Sequence, residues 1–201
     1  TEADAQFSTY PDATILLRKS RFSVLSEGSY WLGPEPDKPL SGGYRKTPTL
    51  PRVVMWAEVK DKVTGATMYV ANSHFDPNSP SQEISAVEMM KRLPEDKDTR
   101  RHAIITGDFN VAPKRDAFKT LTAAQADGVQ FGESHDLAAK TAVVHNDATE
   151  PAYDPAERID HIFVGPAWSV TQWRVDMRRF GPNNRYPSDH FLIVADMEAK
   201  P

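Results

Sequence analysis

Four short polar clusters, each set at one end of an apolar run that reads as a β-strand, constrain this chain more than any other feature. They are Asn72-Ser73-His74-Phe75-Asp76, Gly107-Asp108-Phe109-Asn110, Arg158-Ile159-Asp160-His161 and Ser188-Asp189-His190. Strand ends on a rigid sheet are where catalytic side chains converge. In Asp108-Phe109-Asn110 the i, i+2 spacing predicts both polar side chains on one face of an extended backbone, with Phe109 turned into the core. The same parity is expected of Asn72, His74 and Asp76.

The rest of the chain supplies matching elements. Ala13–Arg18 and Phe22–Leu25 read as paired strands around the turn Lys19-Ser20-Arg21. Arg52–Lys60 alternates Val53, Met55, Ala57 and Val59 on one face, and Val63-Thr64-Gly65 turns it into Thr67–His74 as a long hairpin. Ala103–Thr106 is a short apolar run of the kind buried inside a covered sheet. Ile159–Val164, Thr171–Met177 and His190–Ala195 read as further strands. Ser79 as N-cap, Pro80 at N1 and Gln82 at N3 start a helix running toward Leu93, with Ile84, Val87 and Met90 as its buried stripe. A second helix is expected near Asp116–Ala124, and the Pro-rich Gly33–Pro51 stretch as a surface loop or lid. Many strands, few helices and antiparallel hairpins predict an α/β layered sandwich.

Composition narrows the chemistry. At 201 residues the chain suits a single domain. The absence of cysteine excludes a disulfide scaffold, a thiolate zinc site and a cysteine nucleophile. No apolar run reaches the roughly 18 residues needed to span a bilayer. A net charge of −4 counts against a protein that coats nucleic acid electrostatically.

Among the clusters, Asp160 lies in an apolar strand beside Ile159 and Ile162, so its carboxylate needs a partner, and His190 is the natural one. Such a pair fixes the imidazole tautomer and raises its pKa, leaving Asp189 to hold a metal. Taken singly, each residue has a plain structural role: Asp108 as a turn or cap residue, His74 as a sheet-edge histidine, Asp160 as half of an ion pair. Their joint occurrence, in order and on strand ends, points to a site.

Read together, Asn72-Ser73-His74, Gly107-Asp108-Phe109-Asn110, Arg158–Val164 and Tyr186-Pro187-Ser188-Asp189-His190 resemble the endonuclease/exonuclease/phosphatase superfamily. That family includes pancreatic-type deoxyribonucleases, abasic-site endonucleases, inositol polyphosphate phosphatases and bacterial sphingomyelinases. Leu17–Phe22, Tyr30-Trp31-Leu32 and Pro51-Arg52 are similar to a bacterial branch of hydrolases. The resemblance implies a four-layer α/β sandwich, two mostly antiparallel sheets packed face to face with helices outside. It also implies one catalytic domain over residues 1–201 and metal-dependent hydrolysis of phosphate esters.

Residue by residue, it implies that Asp108 orients or deprotonates the attacking water and that Asn110 binds the phosphate or helps position that water. His190, held by Asp160, would stabilise the phosphorane or transfer a proton, with His74 on a phosphate oxygen opposite. Asp189 would ligate a divalent cation, Mg²⁺ or Mn²⁺, with Ca²⁺ as the alternative. Oxygen ligands suit such hard ions.

The family's opening strand–helix–strand has no counterpart here. It carries an active-site Asn and a Gln-Glu pair whose Glu is the main metal ligand, whereas Gln82-Glu83 of this chain falls on the predicted helix. The expectation is an N-terminal piece present as a second chain, left by a backbone cut before Thr1. A loop nick is favoured there over autoproteolysis through Thr1.

For substrate, Lys114, Arg115, Arg174, Arg178, Arg179 and Arg185 are the candidates for a basic track, but Asp116, Asp176 and similar neighbours favour an ordinary solvated face. Arg52, Arg179 and Arg185 are the candidate substrate-binding residues, the last two suited to a single anionic group. The Gly33–Pro51 insert, with Trp31, Tyr44 and Arg45, would form a rim for a sugar or small phosphoester; His135 and His145 are loop residues near the site. The leading reading is a phosphodiesterase of a small, carbohydrate- or lipid-linked substrate. The alternatives are a DNA or RNA nuclease and a catalytically silent binding module of the same fold. The lack of cysteine, four tryptophans and a trimmed N-terminus favour a secreted or periplasmic location.

Overall fold

The alternating apolar strands assemble as two sheets in the computed structural model, which describes residues 12–44, 50–146 and 152–200. In chain order the strands and helices are β1 (Phe22–Trp31), β2 (Val53–Asp61), β3 (Thr67–His74), α1 (Ser81–Lys91), α2 (Lys97–Arg101), β4 (Ile104–Asp108), α3 (Asp116–Thr122), β5 (Gly132–Glu133), α4 (Ser134–Leu137), β6 (Thr141–Val144), β7 (Asp160–Val164), β8 (Trp168–Asp176) and β9 (Leu192–Ala199). The larger sheet runs β1-β2-β3-β4-β7-β5 and the smaller β6-β8-β9. Among the described strands, β3–β4 and β6–β8 pair in parallel and the other pairs are antiparallel. No helix among the described residues is long and apolar enough to cross a membrane.

β2 is buried on both faces because its sheet is an inner layer. Val54, Tyr69, Ala71, Ile105 and Phe163 pack in one core with Ala86 and Met89 of α1 and Phe118 and Leu121 of α3. On the opposite face Val53 meets Trp31 and Ala13, while Ala57, Val59 and Met68 meet Val70, Ile104 and Trp168 of β8. The result is the two-sheet α/β sandwich that the strand pattern predicts.

Several local expectations give way to longer-range packing. Residues 13–18 form no strand, and β1 extends to Trp31 along β2, with Phe22 opposite Asp61 and Trp31 opposite Val53. Nine paired residues outweigh a short local hairpin, and Arg21 locks the register by bonding Asp61 at 2.9 Å. α1 begins at Ser81, not on a Ser79 cap, because the Ser79 hydroxyl is donated to Glu83 at 2.9 Å. Its buried stripe is Ser85, Ala86 and Met89, whereas Ile84 (39% exposed) and Val87 (41%) face outward. Small side chains at 85 and 86 let the helix lie close on the sheet, and close approach wins over apolar count.

The insert after Trp31 is closed on itself. Gly33 lies so near Ser41 and Gly42 that a Cβ would fall 2.5 Å from each, and Arg92 pins the loop by bonding both carboxylate oxygens of Asp37 at 2.8 and 3.2 Å. Trp31 is buried and forms no rim, being drawn under β2 beside Val53. Arg45 lies outside the described residues.

Gly107 is the backbone device that brings two strand ends together. At φ +151° its missing Cβ would sit 1.9 Å from the Ser73 carbonyl oxygen, in the parallel β3–β4 ladder. Gly107→Ala must therefore part the strands one residue before Asp108. It is expected to cost about 3–5 kcal/mol of unfolding free energy, read as a lowered urea midpoint; an unchanged midpoint would refute this packing.

Candidate active site

Three neighbouring strands set the site by register. β3 and β4 place His74 opposite Asp108, and antiparallel β7 places Asp160 opposite the same residue. His190 arrives from the other sheet, two residues before β9. Its Nδ1 lies 2.7 Å from Asp160 Oδ2, and its Nε2 3.7 Å from Asp108 Oδ2. From the other side His74 Nε2 lies 3.3 Å from the same Asp108 oxygen.

His74 has a backing carboxylate of its own. Its Nδ1 is 2.9 Å from Asp12 Oδ1, and Asp12 Oδ2 accepts a hydrogen bond from Arg52 Nη1 at 3.1 Å. The Asp108 carboxylate thus lies between two imidazoles, each held at Nδ1 by an aspartate. A carboxylate at Nδ1 keeps the proton there, so both rings turn Nε2 toward Asp108, ready to accept a proton when neutral or donate when charged.

Charge states follow from surroundings. The hydrogen bond to Asp160 raises the His190 pKa against the opposing effect of burial. Burial raises the Asp160 pKa, and the His190 bond offsets this only in part. For Asp12, burial pushes upward, but the bond from His74 and the positive Arg52 win and hold it below the usual carboxylate range.

Asn110 does not continue the extended face. It is left-handed (φ +51°), because Asp108 Oδ1 accepts its N–H at 2.8 Å in a tight side-chain turn. Its Nδ2 donates to the Phe75 carbonyl at 2.9 Å, and its own carbonyl accepts from Gln82 Nε2 at 2.6 Å. Phe109 is fully buried, as the parity predicts. Asp76 leaves the expected polar face: it is 2% exposed and closes a turn by accepting the Asn78 N–H at 2.8 Å.

The other candidates are placed as follows. Arg52 is buried and is engaged behind His74 through Asp12. Arg179 lies over the Tyr186 ring at 4.8 Å and bonds its hydroxyl at 3.2 Å. Arg185 is exposed, its backbone paired with Phe180. His135 packs edge-on against Trp173, and His145 is half-buried.

A divalent cation fits this end of the sheet. One ligand atom each from Asp108, Asp160 and His190 lie within 4.8 Å of one another, and two half-buried carboxylates are hard oxygen donors. Asp189 stands outside that trio, exposed, with its Oδ1 accepting from the Ser188 hydroxyl at 3.3 Å. A second acidic group, Glu133, His135 and Asp136, already holds a cation: Arg158 bonds Glu133 at 2.8 Å and Asp136 at 2.7 Å.

Sequence reasoning missed Asp12. It sits in no motif, and its partners are 40 and 62 residues away in the chain. Asp12→Asn is expected to lower kcat about tenfold by loosening His74 while the melting temperature moves little; wild-type turnover would deny the second pair a role.

A model of the endonuclease/exonuclease/phosphatase family matches residues 12–190, from Asp12 to His190. The chain belongs to that family. Solved members resemble it along most of its length. An endonuclease/exonuclease/phosphatase from Bacteroides vulgatus is 29% identical with a TM-score of 0.74, over 91% of this chain and 68% of that one. A mannosyl-6-phosphatase from Bacteroides thetaiotaomicron is 29% identical with a TM-score of 0.72, over 90% of this chain and 68% of that one. The human Nocturnin catalytic domain, at 18% identity and a TM-score of 0.62 over 90% of this chain and 62% of that one, shares the fold. No curated protein matches. Family members hydrolyse phosphoesters and generally depend on a divalent metal, and this family member is a phosphoester hydrolase.

Proposed function

We propose that this family member is a Mg²⁺- or Mn²⁺-dependent phosphodiesterase of a small, carbohydrate- or lipid-linked substrate. The observation that carries the reading is the Asp108 carboxylate set between two aspartate-backed imidazoles.

Hydrolysis of a phosphodiester must bring a water to an anionic centre and then stabilise the charge that builds on its oxygens. Asp108 holds and orients the water, with one oxygen fixed by the Asn110 N–H and the other facing the imidazoles. His190, its pKa raised by the bond to Asp160, and His74, backed by Asp12, present Nε2 to phosphate oxygens from two sides. A bound cation would supply further charge neutralisation, and Asp108 and Asp160 would be its oxygen donors, with Asp189 close by but outside that group. Asn110, anchored to Phe75, fixes the turn that presents Asp108.

A small substrate is favoured because part of the basic track is paired with acids. Arg174 bonds Asp196 at 2.6 Å and Arg178 bonds Asp176 at 2.5 Å, so neither is open to a phosphate backbone, while Lys114, Arg115 and Arg185 stay exposed. The mannosyl-6-phosphatase among the relatives supports carbohydrate phosphoesters as one substrate group.

The test is a panel of bis(p-nitrophenyl) phosphate, sugar phosphates, phospholipids and single- and double-stranded DNA, assayed between 50 and 200 mM salt. Small esters should turn over with little salt dependence. Preference for DNA with a loss of about 10³-fold or more in binding over that range would replace this reading with the nuclease one.

A further inference from the structure

Neighbouring residues on a strand face opposite ways, and on β7 this splits Asp160 from His161. Asp160 meets His190 at the site, whereas His161 turns into the core and is fully buried. Its ring lies among those of Phe118, Phe163 and Phe109, with centroids 5.2, 5.3 and 6.0 Å away. A phenylalanine would fill that space without burying a polar group, so packing alone gives no reason for an imidazole there.

Its bonds give one. His161 Nε2 lies 2.8 Å from the Val111 carbonyl oxygen; a carbonyl only accepts, so Nε2 carries the hydrogen and donates it. At the other ring nitrogen, Nδ1, Glu133 Oε1 lies 3.6 Å away. Glu133 is buried too, and its Oε2 accepts from Arg158 Nη2 at 2.8 Å and from the His135 N–H at 2.9 Å. A buried ion pair is a poor source of net stability. This one stands behind the imidazole that holds Val111.

Val111 follows the turn that presents Asp108. On the site side the turn is closed by the Asn110 N–H on Asp108 Oδ1, and along β7 by the Phe109 N–H on the Ile159 carbonyl at 2.9 Å. The His161 bond ties it from the core side. We propose that His161, backed by Glu133 and Arg158, is a positioning residue for hydrolysis: its hold on the Val111 carbonyl fixes the Asp108–Asn110 turn and so aims the Asp108 carboxylate at the attacking water. This rests on the phosphodiesterase reading above, in which Asp108 orients that water.

The experiment compares His161→Phe and His161→Gln in hydrolysis of bis(p-nitrophenyl) phosphate with Mg²⁺ or Mn²⁺, with a melting temperature for each. His161→Phe should lower kcat by about 10–10²-fold at nearly constant KM, because the turn loses its tie while no substrate contact is removed. His161→Gln, whose side-chain amide can donate to the same carbonyl, should stay within about threefold of wild-type kcat. A packing role predicts the reverse order, since Phe suits the aromatic surroundings and Gln does not. If His161→Phe fails to fold, His161→Met, equally unable to donate, carries the same expectation. In an Asp108→Asn background the loss of the donor should cost less than about a further twofold. Wild-type kcat without the donor, equal losses with Phe and Gln, or a further loss of about tenfold in the Asp108→Asn background overturns the proposal. Metal-dependent turnover by the wild-type protein keeps the phosphodiesterase reading in each of those cases. No metal-dependent turnover of any ester overturns both.

Discussion

Asp108→Asn is expected to lower kcat on a phosphodiester by about 10²–10⁴-fold, with little change in the melting temperature. The substitution is chosen because it separates chemistry from architecture. Asn retains an oxygen to accept the Asn110 N–H, so the turn after β4 survives. It lacks the negative charge that faces His74 and His190 at 3.3 and 3.7 Å, and with it the capacity to take a proton from water. Rate loss with an intact melting curve supports the assigned role. A variant that keeps more than a tenth of wild-type kcat would remove Asp108 from the centre of the account.

His190→Ala should cost a comparable 10²–10⁴-fold, because it removes a donor beside the reacting phosphate. Asp160→Asn should cost less, about 10–10²-fold, since it leaves the ring in place, weakens the bond that orients and charges it, and keeps an amide oxygen for the cation. Burial already opposes the charge on Asp160, so a neutral amide is tolerated and the melting temperature should change by only a few degrees. The informative variant is the double one. If Asp160 acts through His190, adding Asp160→Asn to His190→Ala changes kcat by less than about twofold. A further tenfold loss would show that the Asp160 carboxylate also works independently of His190, through its second role as an oxygen donor to the cation.

What could be read from the sequence divides by the range of the interactions involved. His74, Asp108, Asp160 and His190 were visible because each lies in a short cluster beside an apolar strand, and neighbouring strand ends bring such clusters together. Phe109 followed from alternation alone. Asn110 and Asp76 broke the same alternation because side-chain turns at Asp108 and Asp76 end the extended backbone there. Periodicity carries no information about such turns.

Asp12 was hidden for a different reason. Its partners, His74 and Arg52, are joined to it only by the folding of the sheet. Arg52, a candidate substrate-binding residue from the sequence, bonds Asp12 behind His74 in the fold. Tertiary packing likewise decided which face of α1 is buried and turned β1 from a local hairpin toward β2. Composition and spacing name the residues of this site; the three-dimensional partner of each carboxylate decides its task.

The most direct test of the central claim is hydrolysis of bis(p-nitrophenyl) phosphate by the full-length protein, assayed after chelation with EDTA and again after adding back Mg²⁺ or Mn²⁺. The account predicts no turnover in the chelated protein, restored turnover with metal, and a loss of about 10²-fold or more in metal-loaded Asp108→Asn. Turnover that survives chelation, or that Asp108→Asn leaves intact, would contradict it.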